Sequence, residues 1–164
     1  MPDSLPTGPA AFRQIMGQFA TGVAVVSVTD ENGAIAAMTI NSLASVSLDP
    51  MLVSWNLQNS ASQFAAYAGA ERFGFSILAE GQQALARRYA ARGSSALVPE
   101  DFEIGTAGLP VLRGALGHIA CRRYAVHPAG DHTLILGQVE ALAQPATGSG
   151  PLVFFGGRFE RIGG

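Results

Sequence analysis

Met38-Thr-Ile-Asn-Ser42, Leu43-Ala-Ser-Val-Ser-Leu48, Asp49-Pro50, Met51-Leu-Val-Ser-Trp-Asn-Leu57 and Gln58-Asn-Ser-Ala-Ser62 follow one another without a break, and the fold turns on how they are read. An Asp-Pro pair between two apolar, strand-like runs is a tight turn, because proline presets φ and the aspartate side chain caps its own backbone. Pairing the runs as a hairpin brings two clusters of small donors, Thr39/Asn41/Ser42 and Asn56/Asn59/Ser60/Ser62, to the same end of a sheet. The second cluster leads into Gln63-Phe-Ala-Ala-Tyr-Ala68, good helix material, with Ser60 or Ser62 as the expected N-cap. Free N–H groups, the positive dipole end and side-chain hydroxyls at such a helix start suit an anion. Trp55 offers an apolar wall nearby for a flat ring.

Upstream, residues 1–8 read as a flexible lead. Pro9 suits the first turn of a helix, and Phe12, Ile15, Met16 and Phe19 fall on one helical stripe expected to pack on something. Val23–Thr29 and Ala34–Ile40, joined by Asp30-Glu-Asn-Gly33, form a hairpin, so the sheet begins antiparallel. Downstream, Arg72–Leu78 alternates as a half-buried strand, and Gly81–Ala91 is a short helix. Arg92–Pro110 has no periodicity and reads as a lid or subunit-contact loop. Leu116–Val126 is a strand whose apolar phase switches, which calls for a β-bulge near Arg122-Arg123. His127–His132 turns the chain into a strand over Thr133–Ala143, and Leu152–Phe155 with Arg158–Ile162 ends it. No internal repeat or boundary divides residues 1–164, which read as one domain. Some seven or eight antiparallel strands lose their edges by closing into a barrel.

Composition narrows the function. The chain of 164 residues is 48% hydrophobic and 13% charged, with net charge −2. So few charges leave apolar surface for burial between subunits. All ten positive charges are arginines and none clusters into a basic patch, so neither nucleic acid nor a membrane surface is an expected partner. The start Met1-Pro-Asp-Ser-Leu-Pro6 has no signal pattern, and a cytoplasmic setting is expected. One cysteine, Cys121, excludes an intramolecular disulfide and reads as a small buried hydrophobe. Neither Gly-x-Gly-x-x-Gly nor Gly-x-x-x-x-Gly-Lys-Ser/Thr occurs, and no histidine has metal-ligand spacing, so no metal is expected. Taken alone, the strand-end serines and asparagines are more often turn caps than ligands, and Gly130-Asp131-His132 a simple turn.

Five segments in register carry more weight. Phe19-Ala-Thr-Gly-Val23, Met38-Thr-Ile-Asn-Ser42, Ser45-Val-Ser-Leu-Asp-Pro50, Phe73-Gly-Phe-Ser-Ile-Leu78 and Gly130-Asp-His132 together resemble the flavin reductase family of FMN-binding split barrels. The resemblance runs from about Phe12 to the C-terminus. It implies a mainly β fold, a six-stranded antiparallel Greek-key split barrel with short flanking helices, assembled as a homodimer. It implies an NAD(P)H:flavin oxidoreductase that passes hydride from NADH or NADPH to FMN, with FAD as the other flavin, and supplies reduced flavin to a separate flavin-dependent monooxygenase. Within it, Thr39, Ile40, Asn41 and Ser42 correspond to the segment holding the ribityl chain and phosphate. Trp55, Asn56 and Leu57 correspond to the strand along the isoalloxazine. Ser60 and Ser62 meet the phosphate, Arg88 beside Tyr89 is a further phosphate partner, and His132 positions the nicotinamide dinucleotide. The alternatives are a flavin carrier or sensor, and a split-barrel flavoprotein that keeps its FMN and acts on another substrate.

Overall fold

The computed structural model describes residues 7–91, 97–145 and 148–163; the flexible lead expected over residues 1–8 lies mostly outside them. Pro9 opens helix α1 (Pro9–Met16), where its missing N–H leaves no intrahelical bond unmade. Strands β1 (Thr21–Gly22), β2 (Ala24–Thr29), β3 (Ile35–Ile40), β4 (Ala44–Leu48) and β5 (Met51–Gln58) follow, then helix α2 (Phe64–Gly69). Strand β6 (Arg72–Ile77), helix α3 (Gln83–Ala90), β7 (Phe102–Ile104), β8 (Pro110–Leu112), β9 (Gly117–Ala129), β10 (His132–Ala143), β11 (Leu152–Phe155) and β12 (Arg158–Arg161) complete the chain.

The main sheet is antiparallel, in the order β3-β2-β6-β9-β10-β5-β4, so it holds seven strands and not the six expected. Its two edges, β3 and β4, are consecutive in sequence and separated only by Asn41–Leu43. So short a connection spans at most about 14 Å from Ile40 to Ala44, so the sheet must curl until its edges meet there. The split in the barrel therefore falls on Thr39–Ser42. A second sheet, β1-β11-β12, lies alongside.

Period-two alternation in β2 builds two cores at once. Val26 and Val28 face inward to Trp55, Leu57, Tyr67, Phe73, Phe75 and Ile135. Val23, just before the strand, and Val25 face outward to Leu78, Ala86, Tyr89, Phe102, Leu112 and Leu152. Buried polar side chains on the outer layer hold β8: Ser27 Oγ donates to the Pro110 carbonyl, Ser76 Oγ accepts from Leu112 N (2.8 Å), and the His118 Nε2–H donates to the Leu112 carbonyl (3.0 Å). Part of the stretch expected to be a loop, Arg92–Pro110, is thus the β7–β8 hairpin, pinned by residues distant in sequence; residues 92–96 lie outside those described.

The Asp49-Pro50 hairpin forms as expected, pairing Leu48 with Met51 and Ala44 with Ser54. The expected bulge lies one residue beyond Arg122-Arg123: Leu136 opposes Ala125 while Gly137 opposes Arg123, leaving Tyr124 as the extra residue. At that irregularity a Cβ on Gly137 would stand 2.7 Å from Phe73 Cζ and 2.9 Å from Cys121 Cβ. Gly137→Ala is therefore expected to cost about 1–3 kcal/mol through overpacking, read from the denaturant midpoint. An unchanged midpoint would show that Phe73 yields freely. Cys121 is wholly buried and its thiol is pushed up to about 12, chiefly by burial, as a small hydrophobe should be.

Two expectations are corrected. Helix α2 begins at Phe64 with Gln63 as N-cap and no side-chain cap bond, so Ser60 and Ser62 precede it in irregular backbone. The helix is also only six residues long, and its terminus is no anion site. The α1 stripe stays largely uncovered among the described residues: Phe12 and Phe19 are each 68% exposed, and Ile15 and Met16 are exposed as well.

Candidate functional site

Three cavities line the split and share walls. One of about 330 Å³ is bounded by Met38, Thr39, Gln58, Ser60, Ser62, Tyr67 and Tyr89. A small one of about 180 Å³ continues it, walled by Thr39, Ile40, Asn41, Ala90, Phe154 and Phe159. The largest of the three, about 740 Å³, is bounded by Arg13, Met16, Phe19, Thr21, Asn41, Ser42, Asn56 and Phe154. Thr39 joins the first to the second and Asn41 the second to the third, so Thr39–Ser42 is the common floor of one groove. The donor clusters on either side of the Asp49-Pro50 hairpin do converge, and along a groove instead of at a helix end.

Local bonds decide which donors remain available. Thr39 Oγ1 donates to the Ala86 carbonyl at 2.8 Å and ties β3 to α3. Ser42 Oγ accepts from Asn56 N at 3.0 Å, which leaves its own hydrogen to give. Two buried hydroxyls on the groove walls, Thr21 Oγ1 and Tyr67 OH, have no partner among the described residues. A buried hydroxyl left unmatched costs free energy, so a polar ligand is the natural complement of both.

Alternation along β5 corrects the placement of Trp55 and Leu57. Both side chains are wholly buried in the inner core, whereas Asn56 and Gln58 point outward into the groove. The indole is therefore not the apolar wall of the site; Phe19, Ile40, Phe154 and Phe159 supply that surface. Arg88 also sits differently from its implied role. It bounds none of these cavities and its Nη1 donates to Asp101 Oδ2 at 2.6 Å, an oxygen that also accepts from Tyr89 OH at 2.6 Å.

His132 stands at the tip of the β9–β10 hairpin. It pairs with Gln58 across the ladder, so the two side chains share the outward face. Its Nδ1–H donates to Asp131 Oδ1 at 2.7 Å, and that hydrogen bond is the main cause holding the Asp131 carboxyl below its usual range. Nε2 is then the ring atom left for a ligand. Asn59, expected among the ligand donors, braces this turn: its amide donates to the Gly130 carbonyl (3.3 Å), and its Oδ1 accepts from Thr133 Oγ1 (2.8 Å). Sequence reading missed Arg13, Thr21, Gln58 and Tyr67, whose place on the groove depends on long-range packing.

The comparisons with known proteins fit this geometry. A family model described as "Flavin reductase like domain" matches residues 16–163. The chain belongs to the flavin reductase like family. Among relatives of this family member, the FMN reductase (NADH) SmoA of Agrobacterium fabrum is 44% identical over 152 residues, covering 93% of this chain and 85% of the relative. The flavin reductase of a styrene monooxygenase from Pseudomonas putida S12 superposes with a TM-score of 0.86 at 36% identity, covering 93% of this chain and 97% of that one. The NADH:FAD oxidoreductase SgcE6 of Streptomyces globisporus, solved with NAD and FAD fragments, gives a TM-score of 0.88 at 31% identity, each chain covered to 98%.

The two groove tyrosines make the fold sensitive to alkali. Burial first, then the hydrogen bond to Asp101, pushes the Tyr89 phenol up to about 12; burial drives Tyr67 upward too. An unfolded tyrosine ionises near about 10, so between about pH 10 and 12 the unfolded chain has released protons that the folded chain keeps. Their contribution to stability is whole below that window and is lost as pH rises through it. Phenolate absorbance from these residues should therefore rise together with loss of far-ultraviolet circular dichroism. Full phenolate signal at ordinary tyrosine pH, with the fold intact, would contradict this.

Proposed function

We propose that the protein is an NADH-dependent flavin reductase that hands reduced FMN, or FAD, to a separate flavin-dependent monooxygenase. The observation that carries the reading is the continuous groove at the barrel split, with unmatched hydroxyls at both ends and the His132 turn on its outer face. Thr39, Asn41, Ser42, Asn56, Ser60 and Ser62 would hold the flavin, whose chemistry when bound is to accept hydride from the reduced nicotinamide. Ser60 and Ser62, with Gln58 beside them, offer small donors for the phosphate end. The apolar middle of the groove suits a ring system. His132, oriented by Asp131 and braced through Asn59, presents Nε2 to the carboxamide of the dinucleotide and orients it. Hydride transfer needs no group in the groove to move a proton.

Phe12 and Ile15 of the α1 stripe and the exposed Val46, Leu48 and Met51 of the β4–β5 hairpin are the surface we assign to a homodimer. Since NADH is an intracellular donor, the expected setting is the cytoplasm. The test is loss of the reduced-nicotinamide absorbance band when purified protein meets NADH or NADPH, with and without FMN, FAD or riboflavin. Oxidation that requires added flavin supports the reductase, and His132→Ala should then raise the KM for the dinucleotide. Flavin binding without oxidation of either donor would leave a carrier and end this reading.

A further inference from the structure

We propose that Arg13 binds the diphosphate of the nicotinamide dinucleotide and so completes a donor subsite in the largest cavity; this rests on the reductase reading above. Arg13 lies in the last turn of α1 and is the one charged side chain on the wall of the 740 Å³ cavity, which carries no carboxylate. The chain's other arginines are mostly engaged. Arg72 and Arg122 share Glu140, Arg88 is held by Asp101 and Arg113 by Glu103. The Arg13 carbonyl accepts from Gly17 N in the helix cap, while its guanidinium makes no hydrogen bond or ion pair among the described residues. A positive wall in a cavity without a compensating acid is complementary to an anion, and a guanidinium matches phosphate oxygens two at a time.

Which anion follows from the two ends of the groove. On the reading above the flavin phosphate takes the uncharged hydroxyls of Ser60 and Ser62, beyond the small cavity walled by Ile40 and Phe154. Arg13 stands at the opposite end. The Arg13 charge is also the last and smallest of the causes that lower the Asp131 carboxyl, the hydrogen-bond partner of His132. One end of the dinucleotide meets the imidazole and its central diphosphate meets the guanidinium. Phe19 and Met16 beside Arg13 give apolar surface for the rest.

The test compares donors that differ in phosphate. NADH carries the diphosphate, whereas reduced N-benzylnicotinamide carries the same reacting ring and none. In Arg13→Ala, the KM for NADH should rise about tenfold with the KM for the benzyl analogue unmoved, since a charge-assisted contact to phosphate is lost. Arg13→Lys should recover part of the loss, and the KM for FMN should hold. Equal changes for both donors, or none, would show that Arg13 only balances the helix terminus and would overturn the proposal. A rise in the KM for FMN but not riboflavin would assign Arg13 to the flavin phosphate instead, which also overturns it. A wild-type protein that oxidises neither donor with flavin present defeats the reductase reading itself, an outcome distinct from all of these.

Discussion

Trp55→Ala is expected to lose about 3–5 kcal/mol of folding stability, the largest effect of any single truncation in the inner core. The indole is wholly buried and meets Tyr67, Phe73 and Phe75 edge to face, with ring centroids 6.0, 5.9 and 6.3 Å away. Three aromatic contacts and the full apolar area of the indole vanish together, in a cluster too crowded to collapse. A domain of this kind has only about 5–15 kcal/mol to lose, so the variant should populate unfolded chain near physiological temperature. Trp55→Phe separates packing from polarity. The indole N–H has no partner among the described residues, so exchanging it for a phenyl ring forfeits no hydrogen bond and should cost only about 1–2 kcal/mol. Denaturant midpoints by circular dichroism measure both. Flavin affinity of Trp55→Phe should match the wild type because the indole faces the core. A collapse of flavin affinity with stability retained would instead put this ring in the groove.

The same residue shows where reading the sequence stopped short. The hairpin around Asp49-Pro50 was legible because its cue is local: two apolar runs and a turn pair. The bulge in β9 was legible to within a residue because a change of apolar phase has few other causes. Sidedness along β5 was also available. Val53, Trp55 and Leu57 alternate with Ser54, Asn56 and Gln58, and apolar residues at every second place belong to the core. Grouping Trp55 with the polar cluster by nearness in sequence set that aside. The β7–β8 hairpin was beyond reach for another reason. Gly105, Gly108 and Pro110 spell a loop by composition, and the partners that make it a strand pair, Ser27, Ser76 and His118, come from three different strands or their ends. Ser27 is 83 residues from its acceptor. Arg13 lies in an amphipathic helix whose periodic cue is its apolar stripe, which says nothing of a charged neighbour's role. Its place on a cavity wall that carries no carboxylate exists only once α1 has been placed against the split.

Asp101→Asn is expected to favour FMN over riboflavin while costing little stability, and the reasoning runs through one shared oxygen. Asp101 Oδ2 accepts from both Arg88 Nη1 and Tyr89 OH at 2.6 Å. Tyr89 is buried, so removing its acceptor in Asp101→Ala strands a hydroxyl and should cost about 1–3 kcal/mol. The Arg88 side chain is 37% exposed, so solvent screens its pairing and the loss comes mainly from the stranded Tyr89 hydroxyl. An asparagine keeps an oxygen for Tyr89 but removes the charge that holds Arg88. The guanidinium, one residue before the Tyr89 that walls the Ser60–Ser62 cavity, is then free to seek another anion. FMN brings a phosphate to that end of the groove and riboflavin does not. The ratio of riboflavin to FMN dissociation constants, from quenching of flavin fluorescence, should therefore grow about threefold, equivalent to about 0.6 kcal/mol. An unchanged ratio would mean that Arg88 serves only to anchor α3 on the segment before β7. A falling ratio would mean that Asp101 shapes the phosphate end by holding Tyr89, and that its charge on Arg88 helps the site as it stands.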